Sequence, residues 1–344
     1  MLALLSSVWA ALSACSPTAE KRRPAPVGRY EGTLTYHGAE LPVVVQLYQD
    51  SASRRVQLRL QVAQVPLYAR VFDSVAYQAP ALTAHLPGGT RLALREEPNF
   101  LTGAVWLNDT LRAELVAVRR GAADAPTFAV VQPPADGAPP PLRYWLPLDT
   151  LSQQPAVLLC PDAAATGAAY GWAAWLADQG TVVALLALPP AAPDSIVAQN
   201  VTAAMQHLRH NDRARIDSTR VGIWAMGTAA RGAARAMTAA RAPGAAFLWL
   251  QGAAFEMADR TWLRQLGRRR VPVLGLYGGR DTTINVAESS QLLRSAVGRR
   301  GQSSISVYAG ANAQLLMPAD TAGQWPQLPP NLLPILQKWV GVTR

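Results

Sequence analysis

Reactive side chains are scarce in this chain. Its 344 residues include two cysteines and four histidines. Two cysteines exclude a disulfide framework, even in an oxidising compartment. His207 and His210 stand three residues apart and could supply half of a metal site, but no cysteine or carboxylate cluster accompanies them. A solvated helix end explains the pair as well, because cationic histidine suits a helix C-terminus. The sequence therefore predicts no metal and no cofactor.

Acidic residues are in the minority. The chain has 32 Lys and Arg against 22 Asp and Glu, a formal net charge of +10, and arginine supplies almost all of the positive charge. Such a surface favours anionic partners. The densest basic cluster is Arg268-Arg269-Arg270. No recognition module or interleaved aromatic motif for nucleic acid is present, so specific nucleic-acid binding is not expected. Nothing in the pattern indicates an oligomeric state.

Long apolar runs are missing after the first residues. Residues 1–12 are apolar, and the run ends in Leu12-Ser13-Ala14-Cys15. A run of about 14 residues is too short to span a bilayer as a helix. The segment resembles a bacterial lipoprotein signal with its lipobox, although no Lys or Arg precedes the apolar run. The resemblance implies a cleaved signal at 1–14, lipidation of Cys15, a flexible tether over 15–27, and an exported protein anchored by lipid in the bacterial cell envelope.

Short alternating runs cover residues 28–120 and predict a small antiparallel all-β domain. The turns are predicted at Pro87-Gly88-Gly89 and Asn108-Asp109. The clearest runs of period two lie at 28–36, 43–47, 55–62 and 111–118. The pattern is similar to the β modules that precede the hydrolase domain of some exported bacterial esterases.

A change of composition separates this region from the rest of the chain. Residues 121–145 are rich in proline and alanine, which is typical of a semi-rigid linker. Residues 146–344 then form a second domain, and a chain of this length suits two domains.

One segment of the second domain carries the most specific pattern. Residues 220–230 pass from an apolar, β-branched strand into a helix rich in Ala and Arg, with Ala225, Gly227 and Ala229 at the turn. The segment resembles the nucleophile elbow of the α/β hydrolases, in which Gly-x-Ser-x-Gly places a serine at a strained strand-to-helix turn. Gly227 stands where that serine would be. Glycine has no side chain, so it can neither attack a carbonyl nor be activated by a base.

Two later segments resemble the acid and base strands of the same superfamily. Residues 271–284 match the strand and loop of the acid, with Asp281 at the acid position, and residues 305–314 match the last strand, with Ala313 where the histidine belongs. The order nucleophile, acid, base is that of the α/β hydrolases. The resemblance implies an α/β-hydrolase fold with a mostly parallel, doubly wound sheet. Asp281 is then either a retained acid or a turn former before two threonines.

The oxyanion loop also departs from the family pattern. Residues 155–162 resemble the strand that usually ends in His-Gly, but this chain has Cys160-Pro161 there. Proline has no N–H to donate, so the turn is a poor source of oxyanion donors.

These substitutions lead to three hypotheses. The first is a catalytically inactive hydrolase domain that serves as a binding or scaffolding module, with a small-molecule or anionic ligand in the former cleft. The second is an active ester or thioester hydrolase with a displaced nucleophile or base. Thr228, Ser218, Cys160 and Ser289 are the nearby hydroxyls and thiol. The third is a structural envelope protein. Cys160 fits a buried, small apolar residue better than a catalytic thiol.

Overall fold

The computed structural model of the protein describes residues 24–50, 55–109, 111–132, 141–149, 152–210, 215–239, 242, 244–298, 303–318 and 324–341. The expected signal at 1–14 and the expected lipidation site Cys15 lie outside these residues. The described residues form a β-barrel followed by an α/β domain. None of the helices in these ranges is both long enough and apolar enough to cross a membrane.

Eight antiparallel strands form the barrel. They are β1 (Gly28–Tyr36), β2 (Ala39–Gln49), β3 (Val56–Gln61), β4 (Arg70–Gln78), β5 (Ala81–His85), β6 (Arg91–Glu97), β7 (Phe100–Trp106) and β8 (Arg112–Gly121). A short 3₁₀ turn, Pro66–Tyr68, precedes β4.

The barrel is closed because β1 pairs with β2 on one side and with β8 on the other. Its interior follows from the alternation in the sequence: along β2, Leu41, Val43, Val45 and Leu47 are buried, whereas Pro42 between the first two is exposed. Side chains of a strand point to opposite faces in turn, so every second residue fills the barrel. The predicted antiparallel all-β domain is confirmed, and its closure into a barrel is a further finding.

The α/β domain contributes eight more strands and six helices within the described ranges. The strands are β9 (Phe128–Val131), β10 (Leu142–Pro147), β11 (Gln154–Pro161), β12 (Val182–Leu186), β13 (Ile216–Met226), β14 (Leu248–Gln251), β15 (Val273–Gly278) and β16 (Ser304–Tyr308). The helices are α1 (Thr166–Asp178), α2 (Asp194–Arg209), α3 (Ala229–Thr238), α4 (Arg260–Arg268), α5 (Val286–Val297) and α6 (Leu332–Gly341).

These strands form one mixed sheet in the order β9-β10-β12-β11-β13-β14-β15-β16. β10 runs antiparallel to both of its neighbours, and the strands from β12 to β16 are parallel. Residues of α1 and α6 share one hydrophobic cluster with alternate strand residues such as Val157, and residues of α2 to α5 share the other with the intervening residues such as Leu158. Helices therefore cover both faces of the sheet, and the predicted mostly parallel, doubly wound α/β sheet is confirmed.

The predicted linker over 121–145 is wrong in part. β9 and β10 lie within it and pair with each other at the edge of the sheet. Phe128 is buried, and the guanidinium of Arg59 from the barrel lies 3.9 Å from the centre of its ring. The α/β domain thus begins at Phe128 rather than at residue 146.

The last residues of the predicted tether over 15–27 are packed against the barrel. Ala25 is buried, the hydroxyl of Tyr30 donates to the carbonyl of Pro26 at 2.9 Å, and Arg119 donates to the carbonyl of Val27 at 3.0 Å. Residues 24–27 are therefore part of the barrel and not of a tether.

The barrel and the sheet share one hydrophobic core through α1. The cluster on the α1 side of the sheet runs continuously into the barrel interior. The 3₁₀ turn before β4 approaches α1 so closely that a Cβ added to Gly171 would lie 2.4 Å from the carbonyl oxygen of Leu67. A buried hydrogen bond adds to this packing on the α6 side, where the indole of Trp325 donates to the carbonyl of Ala39 at 3.0 Å.

A buried arginine ties together the loops at the barrel end next to α1. Arg70 is 1% exposed, and it donates to Thr90 Oγ1 at 3.3 Å and to the carbonyls of Leu67, Ala69 and Leu107 at 2.5, 2.8 and 3.1 Å. Burial lowers the pKa of Arg70 to about 10, so the guanidinium is still charged at neutral pH. Carbonyl oxygens therefore compensate a buried charge that has no carboxylate partner among the described residues.

Candidate functional site

The residue at the predicted elbow tip has the backbone of a tight strand-to-helix turn. Gly227 follows β13 directly and has φ +63°, in the left-handed region that favours glycine. Its N–H donates to the carbonyl of Gln251 at 2.9 Å, and its carbonyl accepts from Ala230 N at 3.1 Å at the start of α3. The predicted strand, turn and helix are confirmed, and the turn carries no side chain at its tip.

Gln251, the last residue of β14, connects the elbow with the two other predicted positions. Its carbonyl accepts from Gly227, and its side-chain Nε2 donates to the carbonyl of Ala313 at 3.2 Å. The next residue, Gly252, lies beside the acid loop, because a Cβ added there would be 3.6 Å from Asp281 Oδ2. Gly227, Asp281 and Ala313 are therefore brought together at the carboxyl edge of the parallel strands, where ligands of open α/β sheets bind.

Asp281 stabilises its own loop. The residue follows β15 and is 8% exposed, and its Oδ1 accepts from the backbone N–H and the hydroxyl of Thr283 at 2.9 and 2.6 Å. These contacts are those of an aspartate turn former. Among the described residues no histidine contacts it, so the carboxylate orients no base.

Ala313 lies in the loop after β16 and is exposed. The preceding Asn312 organises this loop, because its side-chain oxygen accepts from Gln314 N and Leu316 N, both at 3.0 Å. The loop therefore has the position expected of a base-bearing loop, but it presents a methyl group.

Asp162 reaches the elbow from the end of β11 and was not singled out by the sequence. Its Oδ2 accepts from the backbone N–H of Thr228 at 2.9 Å and lies 3.4 Å from the hydroxyl of that threonine. Its Oδ1 accepts from Ala165 N at 2.9 Å. The only local signal is an aspartate three residues before the N-cap of α1. Its contact with Thr228 joins residues that are 66 positions apart, so no local sequence pattern indicates it.

Three of the four alternative nucleophiles are unsuited to attack, and the fourth, the Thr228 hydroxyl, has the carboxylate of Asp162 beside it at 3.4 Å and not a histidine. Cys160 is fully buried, and burial raises the pKa of its thiol, which disfavours the thiolate. Ser289 is 2% exposed, and its hydroxyl is held between the N–H and the carbonyl of Phe255 at 3.0 and 3.3 Å. Ser218 is exposed on the early part of β13, several residues before the carboxyl end of the strand.

Histidine does not take part in this site. His37 and His85 belong to the barrel, and His207 and His210 lie at the end of α2, where His210 Nδ1 is 2.7 Å from the carbonyl of Gln206. Among the residues that the structure describes, no hydroxyl or thiol is bonded to a histidine, and no group of three or more His, Cys, Asp or Glu side chains could hold a metal ion.

Beside the elbow, α3 is held by a network of four charged side chains. Arg231 contacts Asp259 at 2.8 Å and Asp194 at 3.2 Å, and Arg235 contacts the same two carboxylates at 3.8 and 3.6 Å. The two arginines lie one helical turn apart, so they face the same carboxylates. The network joins α3 to the first residue of α2 and to Asp259, the residue just before α4.

Asp259 is the buried member of this network. Burial raises its pKa, but the N–H of Glu256, the indole of Trp262 and the charge of Arg231 outweigh burial and hold the pKa of Asp259 below its usual range. The carboxylate is therefore ionised in the folded protein at neutral pH.

Comparisons with known proteins find likeness in structure only. No protein-family model matches the chain, and no curated protein matches it. A protein assigned as a dienelactone hydrolase from Klebsiella pneumoniae subsp. pneumoniae has a TM-score of 0.46 and 18% identity, over 63% of this chain and 99% of that one. An acetyl ester-xyloside bifunctional hydrolase from Caldicellulosiruptor lactoaceticus has a TM-score of 0.43 and 14% identity, over 55% of this chain and 88% of that one. The function of this chain is therefore argued from its own residues.

Proposed function

We propose that this chain is an α/β-hydrolase-fold protein without a working catalytic triad, and that it serves as a binding or scaffolding module. One observation carries the proposal: Gly227 stands at the tip of a well-formed elbow and has no side chain. Ala313 supplies no base on the neighbouring loop. Loss of the serine or the histidine of such a triad lowers turnover by about 10⁴- to 10⁶-fold, and loss of both costs little more, because the two act as a unit.

Cys160 and Ser289 do not replace the lost nucleophile, and the Thr228 hydroxyl contacts the carboxylate of Asp162 and not a histidine. Cys160 is buried with a raised pKa, and Ser289 is held by backbone partners. A reactive hydroxyl needs a base within hydrogen-bond reach, and a reactive thiol needs a lowered pKa. These contacts support binding over hydrolysis.

The charge of the site favours a neutral or cationic ligand. An anionic ligand at the elbow would compete with the carboxylate of Asp162 for the same N–H groups. A second concave surface, a cavity of about 500 Å³ between the barrel and α1, has Glu31, Asp178 and the indole of Trp175 in its lining. Small-molecule sites have volumes of about 300–1,000 Å³. Glu31 is already paired with Arg29 at 2.8 Å and Asp178 is bonded to Thr127, so the indole and the apolar part of this lining favour a neutral ligand.

Covalent labelling tests the absence of hydrolysis. The purified protein is treated with a fluorophosphonate probe, and turnover is measured on a panel of short-chain esters and thioesters, with the heat-denatured protein as the control. We expect no labelling and rates equal to those in buffer, because labelling requires an activated nucleophile. Turnover well above buffer would overturn the proposal.

A thermal-shift panel tests the binding function. A ligand that binds only the folded protein raises Tm with its concentration. We expect a rise with small neutral molecules or organic amines and none with carboxylates of the same size. If no member of the panel raises Tm, the structural role is the better explanation.

The envelope location is proposed on the N-terminal pattern alone. Lipidation of Cys15 would place both domains at a membrane surface. The test is Cys15→Ala, with membrane and soluble fractions compared after expression in a bacterium that processes lipoproteins. The natural chain should sediment with the membranes and the variant should not. Equal partition of the two would argue against lipidation.

A further inference from the structure

We propose that Asp162 is a built-in occupant of the oxyanion site, so that the carboxylate of this chain takes the place of the negative charge that a hydrolase stabilises. In hydrolases of this fold, the oxyanion donors are the N–H of the residue after the nucleophile and an N–H from the loop between the third strand and the first helix. Thr228 follows Gly227, and Ala165 lies between β11 and α1, the third strand and first helix of the sheet. Both N–H groups donate to Asp162.

Each of the two distances lies in the range of an oxyanion donor, with one N–H group on each carboxylate oxygen. The Thr228 N–H and the Ala165 N–H donate to the two carboxylate oxygens, each at 2.9 Å. Effective oxyanion donors lie about 2.7–3.1 Å from the charged oxygen. The two donors come from segments 63 residues apart and are aimed at one group, so Asp162 is more than a local cap.

The fields of two helices support a negative charge at this point. Ala165 is the N-cap of α1 and Thr228 is the N-cap of α3. The positive ends of both helix dipoles therefore face the carboxylate, and charge of this sign is favoured at a helix N-terminus. Neither N-cap side chain bonds its own helix. Asp162 instead accepts from the backbone N–H of both N-cap residues.

The same carboxylate occupies the space of the missing nucleophile. A Cβ built on Gly227 would lie 1.9 Å from Asp162 Oδ2 and 2.5 Å from its Cγ. Non-bonded carbon and oxygen atoms do not approach so closely, so a side chain at 227 and the Asp162 carboxylate in this position exclude each other. The glycine at the tip and the aspartate beside it are therefore one coupled feature.

This inference rests on the proposed function and extends it. Replacing Gly227 with serine and Ala313 with histidine would restore the residue types of the triad, but the serine side chain would compete with the Asp162 carboxylate for the same space. Hydrolytic reactivity then requires a third change that removes the Asp162 carboxylate.

A double-mutant cycle in the full chain tests the coupling. Gly227→Ala, Asp162→Ala and the double variant are compared with the natural protein by thermal unfolding. Gly227→Ala should lower Tm through the clash and the positive φ, and in the Asp162→Ala background it should lower Tm by less than half as much. A Gly227→Ala chain that folds only in that background would support the same conclusion. Equal losses in both backgrounds would overturn the inference.

Gly252→Ala is the matched control for this cycle. Gly252 has φ +60°, close to that of Gly227, but the nearest atom to an added Cβ is Asp281 Oδ2 at 3.6 Å, an ordinary contact. The control therefore measures the strain of a positive φ without the clash. Its loss of Tm should be the same with Asp162 present or replaced.

Acetate provides a second readout that does not depend on position 227. Sodium acetate should raise the Tm of Asp162→Ala more than sodium chloride at the same ionic strength, because acetate can reoccupy the two N–H groups. Asp217→Ala is the control, since Asp217 accepts from the N–H and hydroxyl of Thr219 at 2.9 and 2.6 Å on one exposed turn. An equal response of both variants to acetate would contradict the proposal.

Fluorophosphonate labelling separates this inference from the proposed function. Labelling of the natural protein would overturn the proposed function. Within the inference, Gly227→Ser with Ala313→His should label more slowly than the same pair combined with Asp162→Ala. If the pair alone labels as fast as the triple variant, the carboxylate does not block the site.

Discussion

Gly171 in α1 offers a sharp test of how the barrel packs against the sheet. In Gly171→Ala the new Cβ would lie 2.4, 2.6 and 2.7 Å from the oxygen, carbon and Cα of Leu67. All three are backbone atoms, so no rotamer change relieves the contact. Overpacking of this kind lowers the free energy of unfolding by about 1–3 kcal/mol, and we expect a value near 3 kcal/mol. Alanine returns about 1 kcal/mol over glycine in a helix. The expected net loss is therefore about 2 kcal/mol.

The assay is thermal unfolding, with Gly167→Ala as the matched control. Gly167 is buried on the same helix, but its added Cβ would meet Gly88 O at 3.4 Å and Leu107 O at 3.6 Å. For this variant the higher helix propensity of alanine should dominate and raise the free energy of unfolding by up to about 1 kcal/mol. For Gly171→Ala, about 2 kcal/mol corresponds to a fall in Tm of about 4–8 °C. If both variants were as stable as the natural protein, the close approach of the 3₁₀ turn to α1 would be refuted.

Three further predictions concern buried polar groups. Asp259→Asn should destabilise the protein at neutral pH by about 3 kcal/mol, because Arg231 loses its buried partner. The pKa of Asp259 is depressed in the folded state, so its contribution to the free energy of unfolding is present above about pH 4 and is lost as the pH falls through the lower folded value. Acid unfolding profiles of equal slope for the natural chain and the variant would contradict this. Arg70→Met should lower the free energy of unfolding in urea by about 3 kcal/mol, because three buried carbonyls lose a charged donor, and an unchanged urea midpoint would exclude this role. In a Cys15→Ala background, Cys160 should not react with iodoacetamide until urea unfolds the chain, because the thiol is buried with a raised pKa; rapid reaction in the native protein would show that it is accessible.

Local signals in the sequence predicted much of the fold. Apolar, β-branched runs followed by loops of small residues mark β13, β15 and β16, and alternation marks the barrel strands. Closure of the barrel depends on pairs such as Arg29 with Gly121, which alternation within a strand does not specify. β9 and β10 were missed because prolines dominate the composition around them, and because Phe128–Val131 is only four residues long.

The candidate site was predictable where it depends on chain order and unpredictable where it depends on contacts across the chain. The positions of Gly227, Asp281 and Ala313 follow from strands that end in small-residue loops at the same edge of the sheet. Asp162 was missed because its role depends on its hydrogen bond with Thr228, which is distant in the sequence. Gln251, which bonds to both Gly227 and Ala313, is an ordinary strand end in the sequence, and only its partners in the fold show its role.

Because α1 lies between the barrel and the sheet, the barrel cannot be removed without exposing part of the α/β domain. Its buried face includes glycines and alanines that reach the barrel directly, and the hydrophobic cluster continues from the sheet through the helix into the barrel. A fragment starting at residue 122 would expose that face of α1 to water. Removing, exchanging or grafting the barrel would therefore change the folding of the sheet itself. The chain contains a barrel and an α/β domain, but we expect the two to fold as a single unit.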